Sequence, residues 1–126
     1  MTPLLLVAAG GAAGSVARYS LALGIARLTG PGFPWGTVLI NITGSFIIGW
    51  FAELTASYGR YPASDATRAL VMAGMCGGFT TFSAFSLQTI DLLRAGEILP
   101  ASFNVIGSVV LCLLATALGM RLAQLG

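Results

Sequence analysis

Between Gly74 and Ser86 the chain reads Gly-Met-Cys-Gly-Gly-Phe-Thr-Thr-Phe-Ser-Ala-Phe-Ser, apolar enough for a membrane and badly built for an uninterrupted helix. Gly74, Gly77 and Gly78 each weaken a helix, and Thr80, Thr81, Ser83 and Ser86 bring hydroxyls that can bond the backbone groups a break would free. At membrane depth such a break is tolerated only where the loosened backbone is buried in protein or lines a cavity. Phe79, Phe82 and Phe85 recur at steps of three with Gln88 one step further, so on a resumed helix the rings and the amide lie near one face. An aromatic ring has a positive edge that attracts an anion. Four hydroxyl side chains interleaved with three rings therefore suggest a wall that handles a small polar or charged species in a dry place. A lipid-facing or core aromatic stripe is the plain alternative.

Bond-making chemistry has little to work with. The chain has no histidine, which excludes a histidine proton relay, a histidine metal site and a Ser-His triad. The acids Glu53, Asp65, Asp91 and Glu97 are scattered, and the six basic residues are all Arg, giving a net charge of +2 with no concentrated patch for nucleic acid. Cys76 and Cys112 fall in separate apolar segments without metal-ligand spacing, so inert packing is expected of both. The chain is read as a non-enzyme.

Polar residues inside apolar stretches are the other candidates. Thr37, Asn41 and Ser45 are spaced four apart and give one helix a polar face, on which Asn41 reads first as an interhelical hydrogen-bond anchor. Asn104, Ser108, Cys112 and Thr116 repeat the same spacing and form either a polar track for water or ions or a bundle contact through small polar groups. Arg18 lies within the first apolar segment, where a charge costs about 2.5–3.5 kcal/mol on insertion scales. It must face a wet vestibule or protein partners, or snorkel out to the interface.

The elements that position these residues follow from hydropathy and punctuation. With 56% hydrophobic and 8% charged residues, a chain of 126 residues is a single membrane domain, residues 1–126, whose first segment is retained as a helix because no basic region precedes it. Four crossings are predicted: about Pro3 to Leu28, Trp35 to Tyr58, Ala66 to Leu93 with the interruption described above, and Pro100 to Leu125. Thr29 to Pro34, Ser57 to Asp65 and Asp91 to Glu97 are the loops, with Gly96 as a helix stop. Gly10 and Gly14 form a small-residue pair suited to close helix approach, although small residues are common in any membrane helix. Across four crossings Arg60, Arg68 and Arg121 fall on the N-terminal side and Arg18, Arg27 and Arg94 on the other. The rule that positive charge stays inside then has nothing to grip, so both insertions and an antiparallel pairing of two copies are expected.

Gly77 to Ser86 resembles the third-helix signature of the Fluc (CrcB) fluoride channels. Gly14-Ser15-Val16-Ala17-Arg18 and Gly36-Thr37-Val38-Leu39-Ile40-Asn41 are similar to the same family, and the likeness covers nearly the whole chain. The resemblance implies an all-α membrane protein with four transmembrane helices per chain, the third broken mid-membrane, assembled as an antiparallel dual-topology homodimer. It implies passive fluoride export across a bacterial cytoplasmic (inner) membrane, relieving fluoride toxicity through two anion pathways. Phe82 and Phe85 would line the pathways, Asn41 would stand at the vestibule and Ser108 and Thr116 would belong to the polar track. Gln88 takes the place of the family's usual acid and is expected on the anion path, and Arg18 is expected to serve the vestibule or the structure. Main-chain carbonyls of Gly77 and Thr80 from both copies would hold a central structural sodium ion, since an unwound backbone exposes hard oxygen ligands. The expected partners are fluoride, a second copy and membrane lipid, with no nucleic acid.

Two departures from the family pattern are Gln88 and Cys112, the latter at a position where Ser is frequent. The chief rival, a coupled four-helix multidrug exporter, needs a carboxylate within a membrane helix. The first segment has none, and Glu53 stands near the end of the second. A noncatalytic assembly subunit would explain the small-residue faces but not the rings and hydroxyls.

Overall fold

The computed structural model describes residues 2–125. Helix α1 is Pro3–Thr29 and α2 is Trp35–Leu54. Residues 65–79 form α3, which starts as α-helix at Asp65–Arg68, is wound as a π-helix over Ala69–Cys76, and closes with one α-turn at Gly77–Phe79. Helix α4 is Phe82–Arg94 and α5 is Ile98–Leu125. Four helical stretches are long and apolar enough to cross a membrane, with residues 65–94 counted as the third. Helix α2 therefore ends four residues before the expected Tyr58, and α5 starts at Ile98 rather than Pro100 because the loop ahead of it is confined to residues 95–97.

Local chemistry explains the ends. Thr2 and Ser64 accept N–H bonds from Leu5 and Thr67 at 3.4 and 3.2 Å, the N-cap role for which their hydroxyls are suited. Gly30 at φ 77° stands at the C-terminal end of α1, and Gly96 at φ 80° stops α4 while its N–H bonds Leu93 O at 3.0 Å and Glu97 N–H bonds Leu92 O at 2.8 Å. A side chain is strained at these angles, which is why glycine occupies both. Arg68 closes the far end of α2, donating to Ala52 O at 3.0 Å and to Thr55 Oγ1 at 2.7 Å. A guanidinium there neutralises carbonyls that have no partner within the helix.

The bundle is built from two tight pairs, α1 against α3 and α2 against α5. In the first pair Gly10 and Gly14 are buried, and a Cβ at Gly14 would overlap the carbonyl of Met75, so this small-residue pair makes a specific contact. The second pair uses Gly49 and Gly119, where an added Cβ would meet the carbonyls of Thr116 and Phe46. Between α3 and α4 the third segment changes neighbours: residues 77–79 pack on α1, whereas α4 packs on α5. Phe85, Thr89 and Leu92 are the buried residues of α4, a stripe at i, i+4 and i+7 that faces the bundle.

Candidate ion pathway

The backbone leaves the helix at Thr80 (φ −87°, ψ 157°) and Thr81 (φ −149°, ψ 119°), and resumes it at Phe82. Gly77 and Gly78 keep helical geometry, so the two extended residues follow the glycine pair with Phe79 between them. This corrects the expected ring alignment. Phe79 ends α3 while Phe82 and Phe85 begin α4, and the three rings do not share the face of one resumed helix.

Two extended residues strand several carbonyls and N–H groups, and most of them find partners. Cys76 O accepts from Thr80 N–H at 3.0 Å and from Thr80 Oγ1 at 2.9 Å. Gly78 O accepts from Arg18 Nε at 3.0 Å, which is how this span carries an arginine: its guanidinium pins the last turn of α3. Asn41 donates from Nδ2 to Thr81 O at 3.0 Å and accepts at Oδ1 from Thr81 N–H at 2.8 Å. One amide side chain thus pairs both backbone groups of Thr81, as a neighbouring β-strand would. Thr81 Oγ1 accepts from Ala84 N–H at 3.1 Å and caps α4. Among the described residues no donor reaches the carbonyls of Gly77 and Thr80.

These elements enclose an open groove of about 290 Å³. It brings together Asn41, Gly77, Thr80, Phe82, Phe85 and Ser108, six of the residues singled out by sequence. The Phe82 and Phe85 centroids are 5.4 Å apart with planes inclined at 46°, and Phe82 is 77% exposed where Phe85 is 9%. Among the described residues no Asp, Glu or Arg lines the groove, so its polarity comes from the hydroxyls and the amide, with the rings of Phe82 and Phe85 beside them.

The four-residue stripe on α5 divides. Asn104 is 1% exposed and donates to Thr89 Oγ1 at 2.8 Å, while Thr89 Oγ1 donates to Phe85 O at 2.8 Å. This end of the stripe is a bundle contact. Ser108 Oγ donates to Asn104 Oδ1 at 3.4 Å and reaches the groove together with Cys112. Thr116 lies beyond it, its hydroxyl within hydrogen-bond distance of Ser45 O at 3.1 Å and Cys112 O at 3.0 Å.

Gln88 lines a different cavity, of about 410 Å³, with Thr37, Asp91 and the 29–36 turn, so it does not share the ring groove. Its Oε1 is the one buried side-chain N or O atom among the described residues without a hydrogen-bond partner. Arg18 lines neither cavity. Sequence reasoning missed Thr89, expected only inert packing of the groove residue Cys76, and left Ser45 on the α2 polar face without a role of its own. The spacing of Ser45 behind Asn41 was a usable signal, whereas nothing local marks Cys76 or Thr89.

Comparison with known proteins bears on this arrangement. Residues 5–120 match the family model described as CrcB-like protein, Camphor Resistance (CrcB). A protein of Methylobacterium radiotolerans named fluoride-specific ion channel FluC is 56% identical over 121 residues, covering 94% of this chain and 82% of the relative. Proteins of the same name from Opitutus terrae and Nitrobacter winogradskyi are 54% and 49% identical, covering 94% and 98% of this chain and 90% and 96% of the relatives. With a groove at an interrupted third segment, four spans and likeness over nearly its whole length, the chain belongs to the CrcB family.

Proposed function

We propose that the protein is a fluoride-selective channel, not an enzyme, that lets fluoride leave the cell passively through a bacterial inner membrane and so limits its toxicity. The observation that carries this reading is the uncharged groove at Thr80 and Thr81, where phenylalanine rings, hydroxyls and an amide meet. A small anion entering such a place sheds water and needs substitutes that carry no net charge. Ring edges and O–H or N–H donors supply them, whereas a fixed cation would bind the ion and hold it. Phe82, Phe85, Ser108 and Asn41 are assigned to this wall, with Asn41 also fixing the backbone that shapes it. Thr116 extends the polar track, and Gln88 stands on the path at the second cavity.

The functional unit is an antiparallel homodimer in lipid, with the interrupted third helices meeting at mid-membrane and one pathway on each side. Gly77 and Thr80 would supply carbonyl oxygens to a central sodium ion; two oxygens per chain become four in a dimer, and carbonyls free of internal donors fit a hard cation. The exporter alternative finds no support in Glu53, whose carboxylate lies away from the groove and accepts from Tyr58 OH at 3.1 Å and Gln124 Nε2 at 3.0 Å.

Efflux from liposomes tests the reading. Purified protein should release fluoride at least about a hundredfold faster than chloride, a discrimination of about 2.7 kcal/mol at the barrier. Equal rates for the two anions defeat the selectivity, and absence of anion efflux defeats the channel.

A further inference from the structure

Ser45, Thr80, Thr81 and Ser108 bring hydroxyls to the ring groove. Each hydroxyl has one proton to give, so a hydrogen bond within the protein withholds that proton from a ligand. Thr80 Oγ1 donates to Cys76 O at 2.9 Å, and Ser108 Oγ donates to Asn104 Oδ1 at 3.4 Å. Thr81 Oγ1 accepts from Ala84 N–H at 3.1 Å and pairs with Ser83 Oγ at 3.4 Å. Ser45 differs. Its carbonyl accepts from Thr116 Oγ1 at 3.1 Å, but among the described residues nothing engages its hydroxyl.

A hydroxyl inside a helix can turn its proton back to the carbonyl four residues earlier. Thr43, on the same helix, does so to Leu39 O at 2.8 Å, and Thr116 does so to Cys112 O at 3.0 Å. Ser45 makes no such bond to Asn41 O. Nor is its oxygen sealed among apolar groups. Gln88 Oε1 is the one buried side-chain N or O atom without a partner among the described residues, so the hydroxyl of half-buried Ser45 opens on the groove that it lines.

Placement and chemistry select the ligand. Asn41 lines the same groove one turn earlier on α2, about 6 Å along the helix axis, and residues four apart share a helix face. One N–H of its amide is bonded to Thr81 O, and the second has no partner among the described residues. Successive turns of α2 therefore present an N–H and an O–H that the protein leaves unused. No Asp or Glu among the described residues lines the groove to take these protons first. Such donors suit a small anion that has shed water, and fluoride accepts a hydrogen bond more strongly than chloride does.

We propose that Ser45 is a further fluoride contact, whose hydroxyl donates to the ion one helical turn beyond Asn41 and favours fluoride over chloride. The proposal rests on the channel reading above. Thr80 and Thr81, by contrast, keep their hydroxyls for the interruption itself.

The purified full-length protein, with its serine Cβ atoms labelled with carbon-13, is the material for the test. The Ser45 signal is identified by its loss in Ser45→Ala or Ser45→Thr. Sodium fluoride should shift that signal along a saturating curve, and sodium chloride at equal concentration should leave it in place. In liposomes Ser45→Ala should release fluoride at least about tenfold more slowly than the parent, the size expected for losing a hydrogen bond to a charged group. Its ratio of fluoride to chloride efflux should fall as well. Elution volume and thermal unfolding check that the variant folds, and the titration of the parent decides the contact even where it does not. A Ser45 signal indifferent to fluoride, or a folded Ser45→Ala with the parent's efflux and selectivity, would overturn the proposal and leave the hydroxyl to water. If the parent itself passes no fluoride, the channel reading fails, and the Ser45 titration still decides whether the ion binds there.

Discussion

At the scale of single residues, Asn41 does two jobs with one amide. Its two hydrogen bonds to Thr81 tie α2 to the non-helical pair, and it also lines the groove. Interhelical hydrogen bonds within membranes average about 0.6 kcal/mol. Asn41→Ala should therefore lose about 1–2 kcal/mol of stability, read by thermal unfolding in detergent, and should slow fluoride efflux by more than that loss explains. A variant as stable and as conductive as the parent would show that Thr81 is held by its own helix ends. Gln88 stands apart from the rings but one turn from Asp91 at the second cavity. Gln88→Glu should reduce fluoride efflux at pH values where the new carboxylate ionises, while the parent profile stays flat once HF formation is subtracted. Superimposable profiles would remove position 88 from the path. Tyr58, outside the spans, donates to Glu53, and that bond to a carboxylate is the main cause raising its phenol above the ordinary tyrosine value. The raised folded value means that the interaction is present below the unfolded pKa and is lost as pH climbs through the folded one. Ultraviolet titration should show one tyrosine ionising late, and Glu53→Gln should return it to the ordinary range.

At the scale of elements, the interruption redirects the third segment. Residues 77–79 lie against α1 and α4 lies against α5, so the groove opens where the segment changes neighbours. The opposite wall depends on how closely α2 and α5 approach. A Cβ on Gly49 would overlap the Thr116 carbonyl, and one on Gly44 would overlap the Thr80 methyl. Backbone cannot give way as a flexible side chain can, so Gly49→Val should push α5 outward and cost roughly 1–3 kcal/mol, as overpacking does. Thermal unfolding and fluoride efflux should both fall. Full retention of both would mean that the α2–α5 pair tolerates wider spacing than its contacts indicate.

At the scale of the whole molecule, much apolar surface is left outward, including Leu111, Leu113, Leu114 and Leu118 on α5 and Phe82 on α4. Lipid can cover such surface, and so can a second copy. With Arg18 bonded to Gly78 O inside the bundle, Arg27 and Arg94 on one side stand against Arg60, Arg68 and Arg121 on the other, so charge gives orientation little direction. Reporter fusions at the C-terminus should signal from both sides of the membrane, and two or three added lysines on one end should drive the chain to a single orientation. A parent protein found in one orientation alone would refute the antiparallel assembly.

Hydropathy determined the four spans, because burying backbone in lipid requires about 20 apolar residues in a helix and the chain supplies that length four times. Glycine and hydroxyl placement in the third span marked where its helix was weak, and the arginine inside the first span announced a partner without naming it. The site itself was settled by contacts distant in sequence. Arg18 reaches Gly78, Asn41 reaches Thr81 and Thr116 reaches Ser45, pairings that depend on which helix faces move together. Periodicity gave the rings and Gln88 one face, yet the two extended residues cut that period after Phe79, and the helix that resumed placed Gln88 at another cavity. Cys76 and Cys112 were unremarkable as separate apolar residues. Both nevertheless line one groove, a relation between α3 and α5 that no local spacing in the chain encodes.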